Sequence, residues 1–240
     1  MNILAIDVGG TNAKLRTSQE DKVERFPTGP EFTPTGLMEC FHRFAAARDC
    51  EAVSLGLPTQ VVEGKVVLEP HNLGHGWIDF DFAKAFDRPV KVINDAAMQA
   101  LGGYAGGRMV YLGLGTGVGS TMILEKTVIP LDLGQFHFRR NVLDYYLSKR
   151  GLARLGKKEW TRLVGEVVSM LKTGFMADYV MLGGGNAKKV DPLPPGASLG
   201  HNDNAFLGGF RLWNAAASLT PAIEPSSEEN TVVKSNWKIA

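Results

Sequence analysis

Two carboxylates, Asp7 and Asp95, each follow an apolar run at the point where the chain turns or a helix begins. Asp7 ends the apolar run Leu4-Ala5-Ile6 and is followed by Val8-Gly9-Gly10-Thr11-Asn12-Ala13-Lys14. A glycine turn of this kind lets backbone N–H groups approach an anion with no side chain in the way, and Thr11 and Lys14 add a hydroxyl and a charge. Asp7 would be repelled by a bare phosphate, so its place beside such a turn points to a bridging Mg²⁺. A tight hairpin turn without a ligand accounts for the same residues. Asp95 follows Val90-Lys91-Val92-Ile93-Asn94 and opens Ala96-Ala97-Met98. At such a strand-to-helix junction an aspartate is either an N-cap or a general base held at a helix N-terminus.

The elements that must hold these groups follow from periodicity. After the first turn, Asn12, Lys14 and Arg16 alternate with Ala13 and Leu15, the period of a half-buried strand. A dinucleotide-binding turn would open into a helix instead. Val110 to Thr121 repeats the pattern of strand, Gly115-Thr116-Gly117 turn and returning strand, 106 residues after the first. The repeat predicts two duplicated lobes around one cleft, with a hinge among the glycines at 102, 103, 106 and 107. A third strand, Tyr179 to Leu182, ends in Gly183-Gly184-Gly185, which implies close approach of backbone to a ligand.

Helices are predicted over 36–48, 81–86, from Ala96, over 160–172 and over 204–217, with a hairpin at Glu63-Gly64, another at Glu125-Lys126, and a polar tail over 224–240. After the hairpin at Glu63-Gly64, His71 to Trp77 forms a loop. Asn72 and Trp77 offer an amide and an indole suited to a sugar, or are a loop asparagine and a packed tryptophan. His71 and His75 have no clustered carboxylate or cysteine to complete a metal site. Between Arg139 and Arg162, eight basic residues face two acidic ones. That stretch is either a solvated helical surface or a track for a polyanion.

Composition narrows the class. In 240 residues, 26 basic and 25 acidic side chains leave a net charge of +1, with no general pull toward nucleic acid or membrane. Cys40 and Cys50 are too few for a disulfide framework or a zinc set and fit a reducing cytosol. Met1 runs straight into the first strand, and no apolar run reaches spanning length. The expectation is a soluble cytoplasmic protein.

These pieces in this order resemble the actin-like ATPase and sugar-kinase (ribonuclease H-like) fold, and within it the ROK family of sugar kinases, nearest its polyphosphate glucokinase branch. The resemblance spans roughly residues 2–217. It rests on Asp7-Val8-Gly9-Gly10-Thr11 with Lys14, Gly56-Leu57-Pro58, Asn72-Leu73 with Trp77, Asn94-Asp95, Gly113 to Gly119, Gly183-Gly184-Gly185 and Asn204 to Gly208. It implies an α/β protein with an N-terminal lobe over 1–106, a C-terminal lobe over 107–240, and a homodimer. It implies a kinase acting on the 6-hydroxyl of a hexose such as glucose, with ATP or polyphosphate as donor and Mg²⁺. Asp95 would be the general base and Asp7 would hold the metal through water. Gly9, Gly10, Thr11, Asn12, Lys14 and Gly115, Thr116, Gly117 would bind phosphates. Pro58, Asn72 and Asn94 would shape the sugar site, and Gly183, Gly184 and Gly185 would meet a nucleotide's adenosine. Where the family carries Glu-x-Gly-His against the sugar, this chain reads Asp132-Leu133-Gly134-Gln135. That shortens one reach by a methylene and replaces an imidazole with an amide. A weakly catalytic sugar- or nucleotide-binding protein, or a kinase of a non-hexose, are the rival readings.

Overall fold

A computed structural model describes residues 1–214 apart from Ala47, Lys126 and Asn202. The expected tail over 224–240, the end of the last helix at 215–217 and half of the Glu125-Lys126 turn lie outside the described residues. The strands are β1 (Ile3–Val8), β2 (Asn12–Thr17), β3 (Glu24–Pro27), β4 (Ala52–Leu57), β5 (Val61–Val62), β6 (Lys65–Val66), β7 (Val90–Asn94), β8 (Met109–Leu114), β9 (Val118–Leu124), β10 (Thr127–Leu131), β11 (His137–Phe138), β12 (Asn141–Val142), β13 (Tyr179–Gly183) and β14 (Ala197–Leu199). The helices are α1 (Pro34–Ala45), α2 (Phe82–Phe86), α3 (Asp95–Gly103), α4 (Leu143–Leu147), α5 (Lys149–Gly174) and α6 (Asn204–Arg211).

Two five-stranded sheets share one plan. The first runs β3-β2-β1-β4-β7 and the second β10-β9-β8-β13-β14. In each, the first strand pairs antiparallel with its hairpin partner and parallel with the next strand inward. The duplication extends to register, with the second hairpin turn one residue shorter than the first. Asp7 sits opposite Lys14 and Gly56, and Gly113 takes the matching place opposite Gly119 and Gly183. All six residues of β1 are buried, as a central strand covered on both faces requires, whereas β2 alternates.

Each sheet has its own core. Leu37, Phe41 and Phe44 of α1 pack with Leu4, Ile6 and Leu55, while Trp160, Leu163 and Val167 of α5 pack with Val110, Leu112 and Val180. A third cluster joins the halves through Ile93, Ala97, Met98, Tyr111, Met181 and Ala205. Helix α1 starts two residues before its expected position because Thr33 caps it, accepting from the Gly36 N–H at 3.4 Å, with Pro34 in the first turn. The expected helix over 160–172 is the latter part of α5, which begins at Lys149 and is kinked at Gly156 (φ 73°).

Gly102 and Gly103 are the last two residues of α3, which ends among the glycines as the sequence leads one to expect. A Cβ on Gly102 would lie 1.8 Å from the Asn204 carbonyl oxygen, and one on Gly208 would lie 1.8 Å from that of Met98. The small residues let α3 and α6 cross backbone to backbone. Helix α6 follows the second sheet in sequence, yet it returns to the first. The Ser54 hydroxyl donates to the Gly209 carbonyl at 2.6 Å and accepts from the Trp213 indole at 2.8 Å.

Candidate active site

Asp7, the last residue but one of β1, has its side chain 5% exposed, and Lys14, its cross-strand neighbour, places Nζ 3.0 Å from Oδ2. The turn between them closes where the Gly9 N–H donates to the Asn12 carbonyl at 3.0 Å. The end of β3 braces it from outside: the Thr28 hydroxyl donates to the Gly9 carbonyl at 2.6 Å and the Thr28 N–H to that of Thr11 at 3.0 Å. Thr11 itself is exposed.

Asp95 is the first residue of α3, and the cap is Asn94. The Asn94 Oδ1 accepts from the Ala97 N–H at 3.1 Å, and its Nδ2 donates to the Thr59 carbonyl at 3.0 Å. Capping by Asn94 releases Asp95 from that duty. The Asp95 carboxylate accepts one short local bond, from the Ala96 N–H at 2.8 Å. Burial first, and the neighbouring Asp7 carboxylate second, push its pKa up to about 7, against the opposing pull of the Ala96 N–H and Lys14. Asn94 therefore positions the junction from which Asp95 projects and ties it to the segment after Pro58. Asn94→Ala is expected to lose about 1 kcal/mol of stability by thermal unfolding. A parent-like melting temperature would deny it the capping role.

The second loop is anchored by residues of its own half of the chain. The Gly115 N–H donates to the Gly117 carbonyl at 3.1 Å, and the Gly115 carbonyl accepts from the Lys149 N–H at 2.9 Å. Asp144 accepts from the Val118 N–H at 2.8 Å. The two loops meet at Asn72. A Cβ on Gly10 would lie 3.3 Å from Asn72 Cβ and 3.7 Å from Thr116 Oγ1. On the inner side, a Cβ on Gly119 would lie 2.8 Å from that of Ala96, beside Asp95. Two groups thus come together: Asp7, Lys14 and Asp95, and Gly10, Asn72 and Thr116.

The remaining expected residues each have a setting of their own. Pro58 directly follows Leu57, the register partner of Asn94. Gly184 (φ 77°) lies against Leu114, where a Cβ would come within 2.8 Å of backbone, and the Asn186 N–H donates to the Leu114 carbonyl at 2.9 Å. The Gly183 to Gly185 loop therefore adjoins the Gly115–Gly117 turn. Asp132 and Gln135 are exposed and flank a 3-10 turn, Leu133–Gln135, seated on β9 by a 2.9 Å bond from the Leu133 N–H to Ser120 Oγ. Trp77 is not available to a ligand: it is fully buried and donates its indole N–H to the Gly74 carbonyl at 2.8 Å, supporting the loop that carries Asn72. Of the two sequence readings, packing holds for this residue. His71 and His75 are exposed, and no cluster of three metal-ligating side chains occurs among the described residues.

Tyr111 carried no signal in the sequence beyond an apolar strand. Its ring fills the space left bare by Gly113 and Gly183, where Cβ atoms would lie 3.1 and 2.2 Å from it. Its hydroxyl donates to Gln99 Oε1 at 2.6 Å, one turn along α3 from Asp95. Burial, then the Asp95 and Asp7 carboxylates, push the phenol's pKa far up, so it stays neutral. A tyrosine two residues before a glycine in one central strand, with a glycine ending the next, is the pattern that would have exposed it.

A Mg²⁺ ion suits this donor set. Asp7 and Asp95 present two carboxyl groups against one lysine, and Mg²⁺ binds through one or two carboxylates completed by water and substrate phosphates.

No curated protein sequence matches the chain. Among solved structures, the inorganic polyphosphate/ATP-glucomannokinase from Arthrobacter sp. strain KM superposes with a TM-score of 0.74 at 25% identity, covering 86% of this chain and 96% of that one. A ROK family glucokinase from Streptomyces griseus, in complex with glucose and AMPPNP, gives a TM-score of 0.72 at 17% identity, covering 90% and 98%. A ROK family transcriptional regulator, a homologue of the E. coli MLC protein, gives 0.63 at 16% identity, covering 87% of this chain and 76% of that one. The fold is that of the ROK sugar kinases, which hosts regulators as well as enzymes. The family model described as the ROK family matches residues 3–130, and the chain belongs to the ROK family.

Proposed function

We propose that this chain is a sugar kinase that transfers a phosphoryl group from ATP or polyphosphate to the 6-hydroxyl of a hexose, glucose being the first to test. The observation that carries the reading is Asp95. It is a carboxyl group freed from capping at a helix N-terminus, with a pKa pushed up to about 7, beside the Asp7–Lys14 pair and between two glycine loops. A base with a pKa near the working pH combines a useful ionised fraction with real proton affinity. Asp95 accepts the proton of the attacking hydroxyl and holds it as the oxygen bonds to phosphorus. Phosphoryl transfer asks little covalent help of a protein, and the rest is positioning and charge.

In this reading the turns at Gly9–Thr11 and Gly115–Gly117 hold the donor's phosphates, with Lys14 supplying positive charge. Asp7 would hold Mg²⁺ through water, and the ion, when bound, neutralises charge on the donor. Asn72 hydrogen-bonds the sugar, with Pro58 and Asn94 shaping its pocket. Asp132 and Gln135 bound the site on the second lobe, and Gly183 to Gly185 receive an adenosine if the donor is ATP. The neighbours support this reading by their own activities: the Arthrobacter protein is a polyphosphate/ATP-glucomannokinase and the Streptomyces protein a glucokinase. Asp132 and Gln135 favour the second reading, a sugar-binding protein with weak catalysis or a kinase of another acceptor.

A coupled assay for sugar 6-phosphate, with glucose and Mg²⁺ and either ATP or polyphosphate, tests the proposal. Turnover is expected, and its rate should rise with pH through about 7 as Asp95 ionises. Absence of product with both donors shifts the assignment to the second reading.

A further inference from the structure

The basic stretch found in the sequence is only partly neutralised in the fold. Arg139 and Arg162 both pair with Glu166, at 2.7 and 3.3 Å, and Arg162 also pairs with Glu159. Arg154 lies 3.6 Å over the Tyr145 ring. Lys149, Arg150, Lys157 and Lys158 are exposed and form no ion pair among the described residues. They lie on the first part of α5, and Lys149 is the residue bonded to the Gly115 carbonyl.

Lys157 and Lys158, about two turns further along, stand with Arg162 on one wall of a groove of about 660 Å³ whose other wall is the segment Asp191 to Pro195. That second wall also leads back to the phosphate loop, through Asn186, whose N–H bonds the Leu114 carbonyl. Lys188 and Lys189 are exposed on the way. Both walls thus diverge from one loop, carrying cations outward. Asp191 is the acidic group in the lining, against two unpaired lysines.

We propose that this groove, between α5 and the Asp191–Pro195 segment, is a binding track for linear inorganic polyphosphate. It guides the polymer's end to the loop at Gly115–Gly117. A linear chain with a charge on every unit matches a row of unpaired cations; a compact triphosphate at the loop stops short of Lys157. The inference deepens the kinase reading and rests on it for the chemistry at the inner end, while the binding itself stands apart from catalysis.

The test is the full-length protein with Lys157→Gln and Lys158→Gln combined, probed with long-chain polyphosphate and with tripolyphosphate. Direct binding is measured across a salt series, and transfer to glucose is measured alongside. The variant should bind long-chain polyphosphate about tenfold more weakly, and its slope of log affinity against log salt should fall by about 1.4, roughly 0.7 per lost charge. KM for the long chain should rise while tripolyphosphate and ATP kinetics stay at parent values. Unchanged long-chain affinity and slope overturn the track, as does an equal loss with tripolyphosphate. So does equally tight binding of a single-stranded RNA of matching charge, since it would make the groove a general polyanion surface. Long-chain binding that depends on the lysines without transfer from any donor would leave the track and remove the kinase. Transfer from ATP or tripolyphosphate, together with long-chain binding that does not depend on the lysines, would do the reverse.

Discussion

Asp95→Asn is expected to be nearly inactive and yet harder to unfold than the parent protein above pH 7. The activity loss follows from the proposed role: removing a positioned general base costs about 10²–10⁴-fold in turnover, with sugar binding largely spared. The stability gain follows from linkage. In the unfolded chain an aspartate loses its proton near 3.8, whereas in the fold Asp95 keeps it to about 7, because the ionised form is desolvated and repelled by Asp7. A group with a raised folded pKa costs nothing below its unfolded value, where both states are protonated. The cost grows between pH 3.8 and about 7 and is complete above. Asparagine cannot ionise, so the variant escapes it. At about 1.4 kcal/mol per unit, partial access of the residue to solvent holds the expected gain to roughly 2 kcal/mol at pH 8, fading to nothing by pH 4. Thermal unfolding across that range checks the sign. A variant less stable than the parent at pH 8 would show that Asp95 is stabilised as a carboxylate, and parent-like turnover would remove it as the base.

Such an exchange of stability for activity is common at sites that hold a carboxyl group ready to act. It also shows where the sequence could and could not be read. The strands feeding Asp7 and Gly113 were legible because buried runs and alternation are local properties, and the 106-residue repeat predicted the paired sheets that the structure has. That Asn94 and not Asp95 caps α3 was not legible. It depends on whether the Asn94 amide turns back to the Ala97 N–H, a side-chain torsion with no one-dimensional signature. Charge in the Arg139 to Arg162 window was overcounted, because Glu166 lies just beyond it and folds back on two of its arginines. Trp77 suggested a sugar by its type, but it is buried against Phe32, which lies far from it in the chain. The glycines at 102 and 103 end α3, but their second role was not legible, because composition cannot tell a glycine that only ends a helix from one that also admits a neighbour. Their partner, α6, lies about a hundred residues away.

That close crossing gives the second large effect. Gly208→Ala is expected to destabilise the protein by at least about 3 kcal/mol, as overpacking does where the obstacle cannot move. Its Cβ would lie 1.8 Å from the Met98 carbonyl oxygen and 2.9 Å from the Gly102 nitrogen, so no rotamer change relieves the contact. The helices must separate, and α6 is held from behind, where a Cβ on Gly209 would already lie 2.7 Å from that of Ala5. The displacement therefore falls on α3, whose first residue is Asp95. Gly174→Ala is the control: nothing lies within 4 Å of its added carbon, and it sits at the end of α5. There the exchange should be neutral or stabilise by up to about 1 kcal/mol, because alanine is the better helix former. Denaturant unfolding of both variants separates the cases. If the two behave alike, the α3–α6 crossing is looser than the structure has it, and the second lobe would not be fixing Asp95 against Asp7 through that pair.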